Sequence, residues 1–187
     1  MRKVTLGLAS SLDNYIARKD GGSDWLTWDN EVAEISKEFM KTVDTILIGR
    51  KTYEVMRASG QNSYPGAMNY VFSRSKKRLS EFNKRIRPGK AGAKRPKIEF
   101  ISEDAAAFVR KLKDRNGKGI VVFGGGELAR SLFAADLIDE IVLNIQPVLL
   151  GSGIPLFHPM KDQINVTLVR SQRLNNGSIV LTYRVVH

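Results

Sequence analysis

A chain of 187 residues, 42% apolar and 26% charged, is long enough to bury a sizeable core and has the balance of a globular protein in water. It has no cysteine, which excludes disulfides, a thiolate nucleophile and a cysteine-ligated zinc centre; with only His158 and His187 besides, no metal is expected. The net charge of +11 is local: between Arg74 and Lys97 eleven Lys or Arg stand against one acid, Glu81, and the rest of the chain is near neutral.

No apolar run approaches membrane length and the start lacks a full signal-peptide core, so a cytoplasmic protein without membrane contact is expected. Residues 3–10 read as a strand, with Val4, Leu6 and Leu8 alternating with Thr5 and Gly7. Asp20-Gly21-Gly22 is turn chemistry. A helix should begin near Asp29, because Val32, Ile35 and Phe39 recur on one helical face and acids sit at its start. Residues 45–48 read as a buried strand leading into Gly49-Arg50-Lys51-Thr52 and a short helix through Tyr53 to Met56. Residues 69–72 form a third strand that ends in Ser73-Arg74, and residues 97–101 a fourth.

The segment 74–97 contains Pro88-Gly89 and Ala91-Gly92-Ala93, and its middle reads as a loop. Ser102 is the expected cap of the next helix, which carries Phe108, Val109 and Leu112. Ile120-Val121-Val122-Phe123 is a continuous apolar run suited to a strand buried on both faces. It ends in Gly124-Gly125-Gly126, and Leu128 and Leu132 then share a helix face. Such a turn leaves backbone N–H groups and a positive helix end facing an anion. Residues 138–145 give a sixth strand. Two alternating runs, 166–174 and 178–186, meet at Asn175-Asn176-Gly177, a strong hairpin signal. The order argues for an α/β sandwich around a mainly parallel sheet with a C-terminal antiparallel hairpin, in one domain over 1–187.

Three strand ends therefore carry groups suited to phosphate: Gly49 to Thr52, Ser73-Arg74, and Gly124 to Gly126. Ligands gather at the carboxyl ends of strands in such sheets, and one ligand with several phosphates would account for all three. The Rossmann spacing Gly-x-Gly-x-x-Gly is absent. A competing reading takes the 74–97 stretch as a nucleic-acid-binding surface, but only Phe82 interrupts its charges, so stacking platforms are missing and nucleic acid is disfavoured.

The combination resembles the dihydrofolate reductase fold superfamily, and within it the branch of the C-terminal reductase domain of the bifunctional riboflavin-biosynthesis enzyme. Ser11-Leu12-Asp13-Asn14-Tyr15-Ile16-Ala17 is similar to that branch's opening Ser-x-Asp-Gly-x-Ile-Ala, with Asn14 in place of the glycine. Phe123 to Leu128, Asp139-Glu140-Ile141 and Pro147-Val148-Leu149-Leu150-Gly151-Ser152-Gly153 resemble its second half. Gly49-Arg50-Lys51-Thr52 is similar to the reductases' Gly-Arg-x-Thr. The resemblance spans nearly the whole chain and implies a dihydrofolate-reductase-like three-layer sandwich and an NADPH-dependent reductase acting on a small-molecule substrate.

On that resemblance Arg50, Ser73 and Arg74 face the 2′-phosphate. Lys51, Thr52 and the amides of Gly125, Gly126, Glu127 and Leu128 take the pyrophosphate, Gly49 and Gly124 also belong to the cofactor site, and Ile16 and Ala17 border the nicotinamide. Asn144 stands where dihydrofolate reductases carry a substrate-side threonine. The acid those enzymes place five residues after a loop tryptophan corresponds to Asn30, counted from Trp25; a one-residue offset would place Asp29 there, or Asp29 merely complements the helix dipole. Asp13 reads either as a loop-stabilising polar residue or as a catalytic one. Trp25 and Trp28 read as core or pocket wall. The absence of cysteine leaves no zinc deaminase domain, so a separate reductase is expected, with a dihydrofolate reductase as the alternative. The Gly124–Gly125 bond is expected to be cis. A homodimer is expected through residues 141–150 and the terminal hairpin, whose apolar character is high for a free edge.

Overall fold

The computed structural model describes residues 1–84 and 97–187. Eight strands form one sheet in the order β5-β4-β3-β6-β1-β7-β10-β9. They are β1 (Val4–Ser11), β3 (Val43–Gly49), β4 (Met68–Phe72), β5 (Ile98–Ile101), β6 (Gly119–Val122), β7 (Glu140–Gln146), β9 (Val166–Arg173) and β10 (Ile179–Val185). The strands from β5 to β7 pair in parallel, and β10 and β9 add antiparallel. A second ribbon pairs β2 (Tyr15–Ala17) with β8 (Ile154–Pro155). The helices are α1 (Asn30–Lys41), α2 (Arg50–Ala58), α3 (Lys76–Lys84), α4 (Ala105–Lys113) and α5 (Gly126–Ala134).

The order of strands decides where the helices lie. From β1 the chain steps outward through β3 and β4 to β5, then returns to insert β6 between β3 and β1, and crosses β1 to reach β7. Crossovers between parallel strands are right-handed, so outward and return journeys put their helices on opposite faces. The two buried clusters show this. Ile46, Ile48, Val71 and Val121 pack with Tyr53 and Met56 of α2 and Leu79 and Phe82 of α3, with Phe39 and Met40 of α1 beside them. The alternate residues Leu47, Tyr70, Phe72, Ile120 and Val122 pack with Phe108 and Leu112 of α4 and Leu128 and Leu132 of α5. The result is a three-layer sandwich around a mixed, mostly parallel sheet, as expected.

Several local expectations are corrected. The helix after β5 is capped by Asp104, whose carboxylate accepts from Ala107 N at 2.8 Å, and not by Ser102. β7 is interior, flanked by β1 and β10, so residues 141–146 are no free edge; β9 alone is the edge on that side. Among the described residues no peptide bond is cis: Gly124 and Gly125 turn the chain through two successive positive φ angles, +89° and +93°. Only glycine takes two such steps without strain, so the turn needs no cis bond. α3, β2 and β8 are elements that periodicity does not reveal. The expected loop in the middle of the 74–97 stretch falls largely outside the described residues. No helix among the described residues is long and apolar enough to cross a membrane.

Candidate active site

Adjacent strands β3 and β6 send their following helices to opposite faces of the sheet, which makes their carboxyl ends a switch point. The two turns meet there. Gly49 N donates to Gly124 O at 3.2 Å, and a Cβ on Gly49 would lie 2.8 Å from the Gly125 α carbon. Thr52 packs on the next residue: a Cβ on Gly124 would lie 3.0 Å from its hydroxyl oxygen. The structure thus brings Gly49 and Thr52 together with Gly124 and Gly125, 72 to 76 positions further along the chain.

The helix starts explain what this meeting can do. α1 is capped by Asp29, whose Oδ1 accepts from Val32 N at 2.9 Å. α3 is preceded by Ser75, whose Oγ accepts from Arg78 N at 3.3 Å, and α4 by Asp104. α2 and α5 begin instead at Gly49 and Gly125, and neither has a side-chain cap. First-turn N–H groups have no acceptor inside their own helix, so these two ends present free donors and positive dipole charge at one place. Gly126, Glu127 and Leu128 form that first turn of α5.

Around the pair, Arg50 is half-buried and holds Glu54 at 3.0 and 2.8 Å, while Lys51 is exposed. Ser73 continues β4: its N donates to Ile101 O at 3.0 Å and its Oγ accepts from Ser75 N at 3.1 Å. Arg74 is exposed, and its charge reaches Glu127. The Glu127 carboxyl is held below its ordinary range, first by the Arg130 hydrogen bond, with His158 and Arg74 adding to it. Ile16 and Ala17 lie in β2, where the missing Cβ of Gly153 lets the Ala17 carbonyl approach. Two residues past β8, the Phe157-His158 turn lays the His158 ring against the α carbon of Gly126. His158 is therefore at the start of α5, a neighbour that no sequence motif marked.

Next to this switch point in the sheet come the carboxyl ends of β1 and β7. Asn144 stands there opposite Ala9, with its Oδ1 buried and unpartnered. Asp13 serves the frame: it accepts from Ser11 Oγ at 2.6 Å, Leu150 N at 3.1 Å and Gly151 N at 2.7 Å, which ties the β1–β2 turn to the loop after β7. Those donors, Ser11 foremost, hold its pKa below the ordinary value. Asp29 uses its second oxygen on Asn176 Nδ2 at 2.8 Å, and Glu31 accepts from Asn175 N at 2.8 Å, so the start of α1 is docked on the hairpin turn. Asn30 is exposed. Trp25 is half-buried, whereas Trp28 is 62% exposed and is no part of the core. Gln146, which the motifs also passed over, is almost wholly buried beside Asn144 and accepts from Thr27 N at 3.2 Å.

A mixed αβα sheet with two glycine-started helices converging at its switch point defines a dihydrofolate-reductase-like protein. Comparison places it further: the chain belongs to the RibD C-terminal domain family, whose profile matches residues 2–180. That family is of the riboflavin-biosynthesis reductase type. The chain is 36% identical over 169 residues to the uncharacterised protein YwjB of Bacillus subtilis (strain 168), covering 89% of each chain. A crystal structure of a Shewanella sp. PV-4 protein named for riboflavin biosynthesis superposes over 100% of both chains with a TM-score of 0.76 at 25% identity. Dihydrofolate reductase from Enterococcus faecalis, solved with NADP(H), shares the fold with a TM-score of 0.63 at 14% identity, covering 98% of this chain and 96% of that one.

Proposed function

We propose that the protein is an NADPH-dependent reductase that passes hydride to a C=N or C=O carbon of a small heterocyclic or sugar-derived substrate, of the 5-amino-6-(5-phosphoribosylamino)uracil reductase type. The observation that carries this reading is the meeting of two helix starts that lack side-chain caps, Gly49 of α2 and Gly125 of α5. A pyrophosphate is the ligand group that accepts from two such ends at once. The residues fit the group: the glycines leave backbone amides accessible, Thr52 adds a hydroxyl, and Arg50, Lys51 and Arg74 supply charge.

In this reading the amides of Gly126, Glu127 and Leu128 hold the pyrophosphate, with Thr52 and Lys51 beside them. Arg50, Ser73 and Arg74 serve a 2′-phosphate, Arg50 with the donors that Glu54, held by Nη1 alone, leaves over. Ile16 and Ala17 border the nicotinamide, which when bound supplies the hydride. Asn144 faces the substrate. The protein's contribution is to orient the two reacting carbons and exclude water. Asp13 is ionised and occupied by three donors at neutral pH, so we assign it to holding loops, and the proton reaches the product from solvent or from the substrate side.

A dihydrofolate-type substrate asks for a carboxylate at the start of α1. Both oxygens of Asp29 are engaged within the protein, which favours the riboflavin-precursor reading over it. Fluorescence titration with NADPH and with NADH tests the cofactor, and binding of neither overturns the proposal. Turnover of the ribosylaminopyrimidine phosphate, set against dihydrofolate, separates the two substrates.

A further inference from the structure

The carboxyl ends of β1 and β7, the substrate side in the reductase reading, hold buried polar atoms that the protein itself does not satisfy. Asn144 and Gln146 are two apart on β7, so both side chains leave the sheet on one face. Their β1 partners are Ala9 and Ser11, with Gly7 opposite Val142. Along that row β1 offers only small side chains. Phe123 borders the row on the β6 side, its ring 3.3 Å from where a Cβ of Gly7 would stand. The two amides border it on the β7 side.

The amide of Gln146 has a fixed orientation. Thr27 N–H needs an oxygen, which assigns Oε1 to it at 3.2 Å and leaves Nε2 as a donor. That nitrogen is buried without an acceptor in a residue only 1% exposed. Asn144 Oδ1 is buried without a donor, and so is Trp25 Nε1 without an acceptor, two residues before Thr27. Buried polar atoms in native proteins are paired, and here two unpaired ones of opposite kind, an acceptor and a donor, stand two residues apart on one strand face at its carboxyl end, where a ligand can complete both bonds. The two carboxylates tied to this region, Asp13 through Ser11 and Asp29 at the start of α1, are both engaged within the protein.

We propose that Gln146 is the specificity-determining residue of the substrate half, and that with Asn144 it reads a neutral planar ring edge carrying one hydrogen-bond donor beside one acceptor, as in a cyclic amide. The donor meets Asn144 Oδ1 and the acceptor meets Gln146 Nε2. Without a free carboxylate, the face selects against a protonated amidine edge. Because the same Gln146 amide holds Thr27, an acceptor bound to its nitrogen also braces the loop through Trp25. This rests on the reductase reading only in taking this face as the substrate side.

The test uses ligand-observed NMR on the full chain, with and without NADPH, and a matched probe pair: 2-pyridone and N-methyl-2-pyridone. The ring is the same, and the methyl group removes the donor. Wild type is expected to bind 2-pyridone at least about tenfold more tightly, the scale of one lost buried hydrogen bond. Gln146→Met, similar in volume, and Gln146→Glu, which keeps an oxygen for Thr27, remove the donor to the ring carbonyl and are both expected to bind 2-pyridone at least about tenfold more weakly, whereas Asn144→Leu, which removes the acceptor for the ring N–H, is expected to lose the preference. Circular dichroism reports folding; if no variant folds, the wild-type ratio alone decides. Wild type that binds neither probe, or both equally, overturns the proposal, and so does a folded Gln146→Met that binds 2-pyridone as tightly as wild type. Absence of NADPH binding would instead overturn the reductase reading, since the probe ratio is also measured in cofactor-free protein.

Discussion

The α carbons of Gly49 and Gly125 press against each other: a Cβ on the first would lie 2.8 Å from the second's α carbon, and one on the second 2.9 Å from the first's. Gly49 has φ −72°, which any residue adopts, so Gly49→Ala adds only the collision and no backbone strain. Backbone sits on both sides of the contact, and the two helix starts must separate to admit the methyl group. The expected outcome is a folded protein whose NADPH affinity falls at least about tenfold, because the amides no longer converge. Fluorescence titration beside thermal melting checks this; unchanged affinity would show that the two helix starts do not act on one ligand.

Arg50 separates the cofactors. Only NADPH carries the 2′-phosphate, and a hydrogen bond to a charged group is worth roughly 1.5–3 kcal/mol. Arg50→Ala should weaken NADPH by that amount and NADH little. Glu54 holds the same guanidinium at 2.8 Å, so it competes with the phosphate, and Glu54→Gln should leave NADPH binding equal or tighter. Equal losses for both cofactors in Arg50→Ala would place Arg50 elsewhere.

Much of this was legible in the chain, for reasons that differ by element. β6 and its turn were readable because an apolar run ending in three glycines has few structural meanings. The β9–β10 hairpin was readable from Asn-Gly. The elements that escaped notice are the ones whose signal is weak. α3 shows only Leu79 and Phe82 among charges, and β2 and β8 are three and two residues long, too short for any period. The cap of α4 was misplaced because Ser102, Glu103 and Asp104 all suit a helix start and only geometry chooses. Gln146 was invisible as a site residue, since its meaning lies in burial without a partner. Asn14 shows the opposite case: a departure from the glycine motif that the backbone explains, because it sits at φ +64°, which asparagine tolerates best after glycine.

That position gives a third expectation. Asn14 is exposed, so its side chain contributes little beyond permitting the left-handed turn. Asn14→Gly should be neutral or slightly stabilising, and Asn14→Ala should cost about 1 kcal/mol. Chemical denaturation of the three proteins checks the order; an alanine variant as stable as wild type would mean that the turn is not held at positive φ.

Asp13 gives a pH dependence. Its folded pKa is depressed below 3.8, chiefly by Ser11 and then by the Leu150 and Gly151 amides. A depressed folded pKa means that the stabilisation is present above the unfolded value and is lost as pH falls through the folded one. Wild type should therefore keep the loop after β7 anchored at neutral pH and lose the anchor only in acid, below the ordinary carboxylate range. Asp13→Asn removes one acceptor oxygen and should loosen the loop at every pH. Hydrogen-exchange protection at Leu150 and Gly151 reads both effects; equal protection in the variant would refute the anchoring role.

The free edge of the sheet carries the last expectation. β9 pairs only with β10, and its other side faces no strand among the described residues. Val166, Leu168 and Val169 are 42%, 52% and 51% exposed, and Ile179 of β10 is 42% exposed. The opposite edge differs: β5 has four residues, with Glu99 exposed in the middle. An eight-residue edge that leaves three apolar side chains in water invites pairing, and Arg170 and Arg173 are its only charged guards. A two-fold axis would bring this patch against its own copy, so that one apolar surface covers another. We expect a homodimer, with about 1,200–2,000 Å² buried if it is a stable one. Leu168→Lys places like charges across the axis and should yield a folded monomer. Light scattering at high protein concentration decides it: a monomeric wild type contradicts the expectation, and a Leu168→Lys variant that stays dimeric moves the interface to another face.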